Sequence, residues 1–268
     1  MKSVWLFLSL FIPMAVFAKS SFITVNGYEV EYEMAGEGKH VLFLEAGGSA
    51  GLSDWDPIFK RLSNNSRVIR YSRIGNGKSE QVRKNYSSEE YAEEARLVLE
   101  ALSIKSPVVY VAHSYGAYIA RRFAATYPEL VSGLMLIEPA SEHDVDIMRR
   151  IDLAKAEQEI AQVKLDDLKN GMSNQYLDFW AKRPLPDYPE IPDIPVTVIA
   201  SIKKYENPPL LFFTDEAREM WGELHSKWAK TFPRGKAVLT DKSYHFPQND
   251  EPDMVVQEVN DLLERINH

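Results

Sequence analysis

Short apolar runs alternate along this chain with longer stretches in which apolar residues recur every three or four positions. Near the start, "FITVNGYEVEYEMAG" predicts two strands joined at Asn26-Gly27, a pair suited to a tight hairpin turn. "HVLFLEAGG" predicts a buried strand ending in glycines, and "SRVIRYSRIGNGKS" a strand that runs into a glycine-rich loop. Ser87-Ser88-Glu89-Glu90 can form a capping box for a helix over "EEYAEEARLVLEAL". A strand over Pro107 to Ala112, a helix from Tyr115 to Tyr127, and strands in "GLMLIE" and "PVTVIA" follow. A strand around Lys236 to Leu239 and a helix from about Pro252 to Ile266 complete the pattern. A hairpin followed by alternating strands and helices predicts an α/β fold with a mostly parallel sheet covered on both faces.

The alternation is interrupted between about 141 and 194, where no good strand occurs. The segment holds a charged helical stretch, "HDVDIMRRIDLAKAEQEIAQVKLDDLKNG", then "SNQYLDFWAKRPLPDYPEIPDIP". It is too long for a simple connection and too short for a separate domain, and it reads as a helical lid. Tyr176, Phe179 and Trp180 recur near helical spacing there. They either hold the lid down or face a cleft as substrate-binding residues.

The first eighteen residues differ in kind. Lys2 precedes the apolar run "VWLFLSLFIPMAVFA", which closes on Val16-Phe17-Ala18 in the layout of a cleavable signal peptide; an uncleaved anchor is the other reading. The expectation is a protein exported to the periplasm or medium, with residues 19–268 forming the mature domain and no membrane attachment once the signal is removed. The absence of cysteine excludes a thiolate nucleophile and thiolate metal ligands. The net charge is −8 and no basic cluster stands out, so nucleic acid is not an expected partner.

The chemistry centres on Ala112-His113-Ser114-Tyr115-Gly116, where a valine-rich strand passes at once into a helix. A strand, a sharp turn bearing an exposed serine, and a helix make a nucleophile elbow; a serine that merely caps a helix is the other reading. A serine hydroxyl needs a base, and imidazole provides one near neutral pH. Of six histidines, His40 precedes a strand, His113 lies in the elbow, His143 and His225 lie in helical stretches, and His268 is terminal. His245 alone sits in a loop between the last strand and the last helix. No metal motif is present, and His143-Asp144 with Asp146 reads as a solvated face. "GNGKS" does not complete a phosphate-binding loop, and no cofactor is expected.

Four segments together resemble the α/β-hydrolase superfamily. "HVLFLEAGGSAGLSDW" is similar to its strand-three segment and oxyanion loop, and "YSRIGNGKS" to its strand-four loop. "AHSYGAYIARRFAATYPELVSGLMLIEPA" resembles its elbow, helix and sixth strand, and "DKSYHFPQNDEP" its late histidine loop. Two places depart: Glu45-Ala46-Gly47-Gly48 stands where a His-Gly dipeptide is usual, and Ser72 where the strand-four loop usually carries aspartate. The resemblance implies an eight-stranded sheet with a helical lid inserted after strand six. It implies Ser114 as nucleophile, His245 as base, and the backbone N–H groups of Gly48 and Tyr115 as oxyanion donors.

The acid is less usual. Strand seven, "PVTVIASIKKYENPP", lacks an acid where most relatives have one, whereas strand six ends in Glu138, a place used by one branch of the superfamily that includes some haloalkane dehalogenases. Glu138 is therefore the expected acid, with Glu206 and Asp215 in reserve. The implied function is a serine hydrolase of carboxylic esters, thioesters, lactones or small amides, acting on a small acyl substrate. Dehalogenases and epoxide hydrolases of this superfamily use an aspartate nucleophile, which Ser114 is not. A carbon–carbon hydrolase or lyase on the same triad, or a non-catalytic ligand-binding protein of the same fold, are the alternatives.

Overall fold

The computed structural model describes residues 20–82, 84, 86–169 and 190–268. The expected signal peptide lies outside them. Strands β1 (Ser21–Val25) and β2 (Tyr28–Ala35) form the hairpin, with Val25 paired to Tyr28. Its two turn residues have φ of 51° at Asn26 and 85° at Gly27, the left-handed pair a tight hairpin demands. β3 (Val41–Glu45), β4 (Arg67–Tyr71), β5 (Val108–His113), β6 (Val131–Ile137), β7 (Val196–Ser201) and β8 (Gly235–Thr240) complete an eight-stranded sheet. Its order is β1-β2-β4-β3-β5-β6-β7-β8, antiparallel through β2–β4 and parallel from there on.

The central strands are buried on both faces, which explains their continuous apolar runs. In β5, Val108, Tyr110 and Ala112 join one core while Val109 and Val111 join the other, the period of two that a pleated strand imposes. The first core is covered by α2 (Ser88–Ala101) and α3 (Gly116–Thr126); the second by α1 (Asp56–Leu62) and α8 (Pro252–Asn267). The capping box forms as expected: Glu90 N–H donates to Ser87 Oγ and Ser87 N–H to the Glu90 carboxylate. Two helices, α1 and α6 (Asp215–Ala229), are elements that the strand pattern does not announce.

After β6, α4 (Asp144–Ile151) and α5 (Leu153–Lys169) occupy the first part of the expected lid. Ile147 of α4 packs against Ala200 and against Ala217 and Trp221 of α6, which anchors this helix pair beside the end of β7. Asp144 departs from the solvated face expected of it: it is buried, and its carboxylate accepts from the Ser141 N–H. At a helix start that placement satisfies a backbone donor and favours the negative charge. Among the described residues, no helix is long and apolar enough to cross a membrane.

Tight packing beneath the elbow brings α3 onto β3. A Cβ on Gly116 would lie 2.7 Å from the Ala46 carbonyl oxygen and 2.8 Å from that of Glu45. Both neighbours are backbone and cannot swing aside, so Gly116→Ala is expected to destabilise the fold by about 1–3 kcal/mol. A thermal melt of the variant checks this; an unchanged midpoint would show that the helix has room to move.

Candidate active site

Strands β5, β6 and β8 end at the same edge of the sheet, and each delivers one part of the site. β5 ends one residue before Ser114, whose φ of 50° turns the chain sharply into α3. The turn is held from both sides, since Ser114 N–H donates to the Ile137 carbonyl and Ala140 N–H to the Ser114 carbonyl. β6 ends one residue before Glu138, which also has positive φ, at 44°, and donates its N–H to the Ile199 carbonyl of β7. Left-handed backbone at a non-glycine residue is strained, and here it occurs at two sheet ends side by side. His245 arrives on the loop between β8 and the short helix α7 (Pro247–Asp250).

The structure brings Ser114, His245 and Glu138 together. His245 Nε2 lies 2.9 Å from Ser114 Oγ, and His245 Nδ1 lies 3.6 Å from Glu138 Oε2. The first is a hydrogen bond, the second an ion-pair distance longer than one. With Nδ1–H facing the carboxylate, Nε2 is left to accept the serine proton.

Glu138 is 2% exposed and heavily supported. One Nη of Arg218 reaches both its oxygens at 3.1 Å, Trp221 Nε1–H donates at 3.2 Å, and the Ser201 N–H donates to Oε1. Burial alone would raise its pKa, but His245, the Arg218 charge and the Ser201 donor outweigh burial and lower it to about 2. The two reserve acids lie elsewhere. Glu206 is exposed, and Asp215 is exposed and paired with Lys204 at 3.2 Å. α6 thus contributes to the site through Arg218 and Trp221, which sequence reading missed; their spacing of three on one helix face is the only trace they leave.

The glycine loop after β3 is held from behind by one buried guanidinium. Arg73 donates to the carbonyl oxygens of Ala46 at 2.7 Å and Gly47 at 2.6 Å, and to that of Gly48. In a trans peptide the N–H points opposite the carbonyl, so fixing the Gly47 carbonyl turns the Gly48 N–H away from Arg73. The loop lies against the elbow: a Cβ on Gly47 would come 3.4 Å from Ser114 Cβ. Tyr115 is the N-cap residue of α3, a position whose N–H has no intrahelical acceptor.

The two departures from the superfamily pattern have physical reasons. Glu45, which opens the stretch that replaces the usual His-Gly dipeptide, carries the counter-charge for Arg73 and accepts from the hydroxyls of Tyr71 and Tyr110. Ser72, in the place of the usual aspartate, donates to Glu31 Oε2 at 3.1 Å, so β2 supplies the carboxylate that the loop lacks. Ser72 in turn requires glycine beside it, because a Cβ on Gly77 would lie 2.3 Å from its Oγ and one on Gly51 2.5 Å. Tyr176, Phe179 and Trp180 lie outside the described residues. Among the described residues, no group of three or more His, Cys, Asp or Glu side chains could hold a metal ion.

A parallel sheet of this order with a serine elbow after the fifth strand defines an α/β hydrolase. A family model described as the alpha/beta hydrolase fold matches residues 39–182, and the chain belongs to that family. An uncharacterised protein of Mycobacterium tuberculosis is 33% identical over 131 residues, 48% of this chain but only 38% of that protein's length. A haloalkane dehalogenase of Sphingobium indicum is 24% identical over 89% of this chain and 93% of its own. Among solved structures, a thermophilic esterase from Thermogutta terrifontis has a TM-score of 0.63 at 18% identity, covering 94% of this chain and 100% of that one. The enol-lactonase from Burkholderia xenovorans has a TM-score of 0.60 at 19% identity, covering 91% and 100%. The fold is shared with both.

The charges around Glu138 make its role testable. Glu138→Gln is expected to lower turnover by on the order of 10⁴, while Glu206→Gln and Asp215→Asn stay near wild type. The same change strands the Arg218 cation, so the melting temperature falls too. Adding Arg218→Gln should recover stability but not turnover, and recovery of turnover would remove Glu138 from the site. A separate pH effect is expected at His225 on α6, buried with its ring 4.1 Å from that of Trp221. Burial pushes its pKa from 6.5 down to about 3. Between those values the unfolded chain binds a proton that the folded chain refuses, so stability declines as pH falls through that window. Melts of His225→Leu across it should show a shallower decline than wild type; equal slopes would refute this.

Proposed function

We propose that this chain is a serine hydrolase cleaving a carboxylic ester or a related acyl bond. The observation that carries the reading is the 2.9 Å approach of His245 Nε2 to Ser114 Oγ at a strained elbow. Ser114 Oγ attacks the acyl carbon as its proton passes to Nε2. The carbonyl electrons move onto oxygen, where the N–H groups of Gly48 and Tyr115 stabilise the charge. The intermediate collapses by expelling the alcohol or amine, which takes the proton from Nε2. A water molecule then repeats the sequence, giving up a proton to His245 as it attacks the acyl-enzyme, and Ser114 leaves with that proton restored.

Glu138 holds Nδ1–H toward itself and stabilises the imidazolium formed at each half-reaction. Its pKa of about 2 keeps it ionised throughout the neutral range. The names of the esterase and lactonase that share the fold are in keeping with an acyl substrate. The dehalogenase relative differs where the chemistry starts, since Ser114 replaces the aspartate nucleophile expected of that class. Tyr176, Phe179 and Trp180 remain the residues proposed to meet an apolar part of the substrate, and the N-terminal eighteen residues are proposed to direct export before removal.

A fluorophosphonate probe should label the protein stoichiometrically at Ser114 and abolish hydrolysis of nitrophenyl esters, with no adduct on Ser114→Ala. Absence of an adduct on wild type would overturn the hydrolase reading in favour of a ligand-binding role.

A further inference from the structure

The residue before the nucleophile makes contacts that the hydrolytic steps do not use. His113 ends β5, is 1% exposed, and is wedged between the two loops that flank Ser114. Its Nε2 lies 2.8 Å from the main-chain carbonyl oxygen of His245. Its Nδ1 lies 2.9 Å from Asp54 Oδ2. Asp54 in turn accepts from the Gly47 N–H at 2.8 Å and from the Gln248 side-chain amide at 3.1 Å. One chain of hydrogen bonds therefore runs from the loop bearing His245, through the His113 ring and Asp54, to the glycine loop.

The partners fix the ring. A carbonyl oxygen only accepts, so Nε2 carries a proton. At Asp54, burial opposes the charge, but His113 and the donors of Gly47 and Gln248 outweigh it and keep its pKa below the usual value. Both ring nitrogens are thus held by buried partners, and losing either contact leaves a buried polar group unmet. The titratable groups that face the ring are Asp54 and the His245 imidazole, whose ring centre lies 5.0 Å away. The ring of Phe246 covers it at 5.1 Å.

We infer that His113, held at one ring nitrogen by the His245 carbonyl and at the other by Asp54, couples the base loop to the oxyanion loop and acts as a positioning residue for both. The inference rests on the hydrolase reading for its catalytic consequence, not for its geometry. A ring held at both nitrogens keeps the His245 backbone and, through Asp54, the Gly47 N–H at a set separation across Ser114. Neither loop shifts without straining the other. Asp54 and His113 touch no reacting atom, so their loss affects the chemical step and leaves substrate binding alone.

The test uses the full chain labelled uniformly with ¹⁵N. Asp54→Asn should shift the ring signals of His113, assigned by their loss in His113→Gln, together with the Gly48 amide and the His245 ring signals. A shift confined to a single loop overturns the inference. In the same preparations, Asp54→Asn and His113→Gln should each lower kcat about 100-fold with KM unchanged, the loss that a displacement near 1 Å can cause. The double variant should be no worse than either single one, because the residues act as one unit. A normal kcat in a folded Asp54→Asn refutes the positioning role even where His113→Gln does not fold. Should wild type fail to react with the fluorophosphonate, the hydrolase reading falls, and the resonance data still decide the coupling.

Discussion

Everything at this site depends on two left-handed turns at adjacent strand ends. Ser114 and Glu138 both adopt positive φ, where a side chain crowds its own backbone. Such strain persists only when the surroundings over-determine it. Here the surroundings are parallel strands buried on both faces, with β5, β6 and β7 locked edge to edge. Each turn is secured by a backbone bond to the next strand, Ser114 N–H to Ile137 and Glu138 N–H to Ile199. The sheet therefore stores the strain that pushes both side chains out of its plane and toward the loop of His245.

Around these turns the protein buries two ion pairs, Arg73 with Glu45 and Arg218 with Glu138, and the hydrogen-bonded pair of His113 and Asp54. Buried pairs cost desolvation that their attraction barely repays, so stability is not a sufficient reason for them. Each instead orients backbone. Arg73 aligns three consecutive carbonyls, Arg218 donates to the Ser201 carbonyl as well as to Glu138, and Asp54 captures the Gly47 N–H. A guanidinium suits the first task because its planar fork offers several donors in fixed directions. Low dielectric strengthens all of these contacts, which makes the site rigid and intolerant of losing one partner.

Much of this architecture is legible in the chain itself. Valine-rich runs announce the strands because a sheet buried on both faces leaves few polar positions. Asn26-Gly27 announces the hairpin because both residues tolerate positive φ. Ser114, His245 and Glu138 are recognisable because the elbow, the late loop and the end of the sixth strand are local patterns. Asp144 misleads: a charged residue beside two others on a helix looks solvated until the Ser141 N–H folds over it.

What the sequence by itself determined was the order of elements and the positions where the backbone must turn sharply, since both follow from near-neighbour chemistry. Tertiary structure alone decided which groups surround those turns. Arg218 meets Glu138 across 80 positions and His113 meets the His245 carbonyl across 132. Glu31 supplies the carboxylate missing at Ser72 from a strand 41 residues away. No local pattern encodes such pairings, because sheet order, not chain order, sets which buried charges come within reach of one another.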